Sequence, residues 1–124
     1  MDASDLNALL ETIAAASSTL DAQPLAGPDQ AELAAIISAA VANLRASGRL
    51  VHIPAGDDHA ALNTWLHAVI GQIALFITAA DLLASDTDRP LPGPARACAH
   101  QIYAAAAQMR AIVNTCIAAQ GDGP

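Results

Sequence analysis

The side chains best suited to catalysis or metal binding are few in this sequence and lie far apart. None of the four histidines has a second histidine or a glutamate at the spacing that brings two metal ligands to one face of a helix: His52, His59, His67 and His100. His67 and Asp81 share one polar stripe of a predicted helix, but about 21 Å of helix axis separates them. They cannot act on one substrate atom.

The carboxylates and thiols are equally sparse. Glu11 and Glu32 are the only glutamates, whereas a di-iron bundle needs four carboxylates and two histidines at set spacings. Cys98 and Cys116 fall about 27 Å apart along one predicted helix, too far for a disulfide. Both lie on its apolar stripe, where cysteine acts as a small hydrophobic residue. We therefore expect no metal, no cofactor and no enzymatic activity.

The composition favours a small all-α protein with an acidic surface. Of the 124 residues 54% are hydrophobic but only 2% aromatic, and alanine, the best helix former, is the commonest residue. A formal charge of −7 with no lysine disfavours nucleic acids and anionic membranes. The acidic N-terminal segment lacks the basic region of a secretory signal, and unpaired cysteines fit a reducing compartment, so we expect a cytoplasmic protein.

Segment 62–84 holds the only tryptophan and the only phenylalanine and is the predicted central helix. Its large apolar residues recur at steps of three and four, and Asp57 and Asp58 precede it as capping residues. The length suits a bilayer. Because polar residues including His67 and Asp81 fall inside it, a buried helix is favoured over a membrane span.

The same periodicity predicts three further helices separated by proline- and glycine-rich turns: 4–22, 28–47 and 95–120. We expect a single domain, 1–124. Its predicted fold is an antiparallel four-helix bundle made of a short hairpin, 4–47, and a long hairpin, 58–120.

Similar turns join the helices of each predicted hairpin, PLAGP at 24–28 and PLPGP at 90–94. The similarity is consistent with duplication of one hairpin, as 4–48 and 58–121. Because Gly-Pro begins many unrelated helices, independent origin explains it equally well.

The longer second hairpin should project beyond the first at one end, since its helices are about 40 Å long against about 30 Å. That end is apolar, and so is the adjoining connection 49–56. This connection either caps its own bundle or reaches a second copy. The candidate interface residues belong to the end and the connection: Leu50, Val51, Ile53, Trp65, Leu66, Val69, Ile112, Val113, Cys116 and Ile117.

Two functions are compatible with these patterns. The first is a non-enzymatic interaction module that forms a homodimer or docks another helical protein through its apolar end. The second is a carrier or sensor for a small apolar ligand held between the hairpins, with Trp65, Phe76 and Met109 as pocket residues. We expect neither a nucleic acid nor a membrane as partner.

Overall fold

The structure, a computed structural model, contains four helices, and the part of the chain that it describes contains no strand. The described residues are 3–23, 27–48, 50, 54, 57–85 and 93–121, without the side chains of 3, 4, 27 and 116–121. The all-α prediction is confirmed. The helices, in chain order, are α1 (Ala3–Asp21), α2 (Gly27–Ser47), α3 (His59–Ala84) and α4 (Gly93–Gly121).

Two helix ends show why the local sequence folds as predicted. The Asp58 carboxylate accepts the backbone N–H of Ala61 at 3.1 Å, which caps the start of α3 as expected. Gly48 follows α2 with φ +64°, a left-handed conformation that glycine adopts without steric cost. Gly48 therefore allows the chain to turn away at the end of α2.

The four helices form a ring in which each contacts two neighbours. α1 packs against α2 and α4, and α3 packs against the same two helices; the backbones of the diagonal pairs do not come close within the described residues. α1 and α2 run antiparallel, because Arg45 near the end of α2 pairs with Glu11 in the first half of α1, whereas Ser38, earlier in α2, bonds to Asp21 at the end of α1. These contacts establish the predicted four-helix bundle.

The division into two hairpins is not confirmed. α1 contacts α4 more extensively than it contacts α2, its supposed hairpin partner. Small residues explain the close approach, since Ala16 on α1 and Ala105 and Ala106 on α4 are all buried. The four helices thus share one continuous core, rather than two hairpin cores placed side by side.

The connection between α2 and α3 folds onto its own bundle at Leu50. This side chain belongs to the core cluster and is 1% exposed. The Asn7 side-chain amide of α1 donates a hydrogen bond to the Leu50 carbonyl at 2.9 Å. At this residue the connection is a cap on its own bundle, the first of the two expected arrangements; Val51 and Ile53 lie outside the described residues.

A short polar chain links α1 and α2 beside the core. Ser38 donates to the Asp21 carboxylate at 2.8 Å, so the buried Ser17 hydroxyl, 3.0 Å from Ser38, is the donor to it. The buried hydroxyl is thereby satisfied, which avoids a cost of about 1–3 kcal/mol.

Candidate interaction surface

Of the six predicted interface residues whose side chains the structure describes, five lie in the core of the protein. Trp65 is 3% exposed, and Ile112 is the one half-buried member of the described set; the others are Leu50, Leu66, Val69 and Val113. The side chains of Cys116 and Ile117 lie outside the description, as do Val51 and Ile53. Leu50 and the first turns of α1 belong to the same core cluster as these residues, which accords with the expected arrangement in which the connection caps its own bundle.

The predicted pocket residues are also in the core. Phe76 and Met109 are fully buried, and both pack in the same cluster as Trp65. Packing within the protein core explains the burial of the three side chains, so their burial does not by itself indicate a ligand pocket.

Uncovered apolar surface instead lies on the outside of α3. In the described part of the chain three large hydrophobic side chains are exposed: Leu75 at 43%, Leu82 at 52% and Tyr103 at 40%. Leu75 and Leu82 are seven residues apart, and so lie on one face of α3, on the side that faces neither α2 nor α4 directly.

These two leucines belong to a regular uncharged row, which we call the outer stripe of α3. Its residues are spaced by alternating steps of four and three, the spacing of a coiled-coil seam: Thr64, Ala68, Gly71, Leu75, Thr78 and Leu82. Ala68 is half-buried and the other five are exposed. The sequence offered a signal for this surface, because Leu75 and Leu82 are the leucines of α3 that fall outside its predicted apolar arc.

Gly71, near the middle of the outer stripe, is not required by the packing of the chain. A Cβ atom added there would meet no atom within 4 Å. Glycine inside a helix costs about 1 kcal/mol relative to alanine. The fold therefore bears a helix-destabilising residue at a place where its own contacts do not need one, and the space above Gly71 is open.

A small groove separates α3 from α4 beside the outer stripe. Its volume is about 220 Å³, and α3 contributes an apolar floor that includes Ile70, Ile73 and Ile77. Arg110 and Asn114 of α4 form the other wall. Arg110 forms no ion pair with any described residue, so the groove combines an apolar floor with a cation.

A wider groove of about 650 Å³ runs between α1 and α4. Its walls are uncharged and made mostly of alanine, threonine and glutamine. The Thr12 and Thr19 hydroxyls donate to carbonyl oxygens of their own helix, those of Ala8 and Ala15. The protons of both hydroxyls are therefore already used, and the groove presents neither a charge nor an exposed large hydrophobic side chain to a ligand.

The reactive side chains are not assembled into a site. Among the described residues no three His, Cys, Asp or Glu side chains lie close enough together to hold a metal ion. Glu11 pairs with Arg45 at 2.7 Å. Burial raises the pKa of the Cys98 thiol, which keeps it protonated and poorly nucleophilic.

Comparisons with known proteins assign no function to this chain. No family model, no curated protein and no solved structure matches this chain.

By length and composition α3 is the one helix in the described ranges that could cross a membrane. Nine of its 26 side chains are buried in the bundle.

Proposed function

We propose that this protein is a non-enzymatic interaction module that self-associates through the outer stripe of α3. The main observation in support of the proposal is that Leu75 and Leu82 are exposed and lie in a row of uncharged residues. Isolated exposed leucines are common, but two at heptad spacing on such a face form a surface that a partner helix can cover.

A second copy is the occupant that the surface fits. Its uncharged row is flanked by His67 and Asp81 near opposite ends of α3, so two antiparallel copies place an imidazole beside a carboxylate. Covering a half-exposed leucine is worth about 1 kcal/mol, or about 4 kcal/mol for the four leucines of a two-fold pair. The charge of −7 on each copy opposes association, so added salt should strengthen it.

Analytical ultracentrifugation over a wide concentration range tests this function. Combined Leu75→Glu and Leu82→Glu substitutions should weaken association at least a hundredfold, because they remove the apolar contact and add carboxylates to it. The matched control is Ala8→Glu with Ser18→Glu, which adds the same charge on α1, the helix diagonal to α3. A wild-type chain that stays monomeric throughout would contradict self-association.

A second candidate function is binding of a small apolar carboxylate in the groove between α3 and α4. Its support is the isoleucine floor beside Arg110, a cation without a carboxylate partner among the described residues. A charge-assisted hydrogen bond from Arg110 would orient the carboxylate while the chain lies on the apolar floor. This ligand differs in place from the one expected at Trp65, Phe76 and Met109.

Octanoate and octanol, which share an alkyl chain, separate the two parts of that recognition. Octanoate should perturb the backbone NMR signals around Ile70 and Arg110, and octanol should bind about tenfold more weakly. Arg110→Gln should remove the difference between the two ligands. Identical affinities for both ligands in the wild-type protein would rule out a carboxylate site.

A further inference from the structure

We infer that the second copy of this chain binds antiparallel, with Leu75 of each copy packed into the open space above Gly71 of the other. The inference rests on the proposed self-association and specifies its geometry. It joins two separate observations, the exposed leucines and a glycine whose place could hold a side chain without any internal contact.

The spacing of the outer stripe is symmetric about the level of Ile73. When two α3 helices run antiparallel about a two-fold axis at that level, each residue of the stripe faces another residue of the stripe. The three facing pairs are Thr64 with Leu82, Ala68 with Thr78, and Gly71 with Leu75. In each pair a leucine or threonine faces a smaller side chain, so the side chains of the two helices can interdigitate.

Flanking side chains favour the antiparallel direction. In this arrangement His67 of one copy lies within about 3 Å, measured along the helix axis, of the level of Asp81 of the other. A parallel pair would set Asp81 beside Asp81, and would stack Leu75 on Leu75 while leaving a gap between two glycines. Electrostatics and shape therefore select the same direction.

Pairwise cross-linking between two distinguishable chains tests the direction. In a Cys98→Ala, Cys116→Ala background, one chain carries Ala68→Cys and a tagged chain carries Thr78→Cys. A short bismaleimide should join the two chains to each other, with at least tenfold less product from either chain alone. Equal self-linking of the Ala68→Cys chain would establish a parallel pair and overturn the inference.

Substitution of Gly71 tests the packing of Leu75. Gly71→Gln should raise the dissociation constant of the pair at least tenfold, because the new side chain fills the space that Leu75 needs. The melting temperature at dilute concentration should not fall, since the site is open and glutamine favours the helix. Ala8→Gln on α1 is the control and should leave association unchanged. An unaltered dissociation constant for Gly71→Gln would overturn the packing.

The outcomes separate this geometry from the broader function. If the glutamate substitutions at Leu75 and Leu82 abolish association but the cross-link between Ala68→Cys and Thr78→Cys chains does not form, self-association stands and the antiparallel geometry fails. If the wild-type chain is monomeric at every concentration, both fail. A monomer that sediments with phospholipid vesicles through Leu75 and Leu82 would assign this face to a membrane and would also overturn both.

Discussion

The bundle end around Trp65 and the outer stripe of α3 both carry large apolar side chains, yet the chain covers only the first. At the end, Leu50 of the connection and the first turns of α1 join Trp65 in one core. Along the outer stripe, Leu75 and Leu82 remain about half exposed. The difference shows that an apolar residue marks an interaction surface only after the chain's own neighbouring elements have been placed.

Substitution of Trp65 should lower folding stability more than any other change. A small loss of stability would contradict the conclusion that the chain itself covers the bundle end around Trp65. Because Trp65 is 3% exposed, Trp65→Ala should lower the free energy of unfolding by about 3–5 kcal/mol. Urea unfolding followed by circular dichroism measures this. A variant that keeps wild-type stability but loses association would place Trp65 at an interface.

Much of the bundle follows from local sequence rules. The predicted helices agree with the observed ones to within three residues at each described boundary, because glycine, proline and Asp58 mark their ends strongly. Periodicity also identifies the buried faces, such as the row of Leu6, Leu10 and Ile13 in α1.

The lateral arrangement could not be predicted in the same way. Periodicity indicates which face of a helix is buried but not which helix buries it, so the extensive contact of α1 with α4 was missed. The outer stripe was missed for a related reason. Leu75 and Leu82 fall outside the predicted apolar arc of α3, but whether a neighbouring helix covers them could be decided only after α2 and α4 had been placed.

Two leucine-to-alanine substitutions, one in each region, test the difference between the covered bundle end and the exposed outer stripe. Leu50→Ala should cost about 2–4 kcal/mol of unfolding free energy, since Leu50 is buried, and should leave association of the folded chains unchanged. Leu82→Ala should change stability by less than about 0.5 kcal/mol but weaken association several-fold. Urea unfolding and sedimentation of the same samples give both quantities. Equal stability losses in the two variants would remove the distinction between the two regions.

The smallest expected effect is a dependence of the free energy of unfolding on pH, caused by the buried residue Cys98. Burial raises the pKa of its thiol in the folded chain. Above about pH 8.5 the thiol ionises in the unfolded chain while it stays protonated in the folded one, so the free energy of unfolding should fall as pH rises. Urea unfolding between pH 7.5 and 9.5, compared with Cys98→Ala, measures it. The same slope in both proteins would show that Cys98 is not its source.

The extensive contact between α1 and α4 has a consequence for how the chain folds. These helices are joined only through the two between them, so their contact closes a long loop, and such contacts slow folding relative to local ones. The buried residues of all four helices belong to one cluster, so either half formed alone would leave part of its apolar surface uncovered. The bundle should therefore fold and unfold in one cooperative transition, with no intermediate in which half of the chain is native.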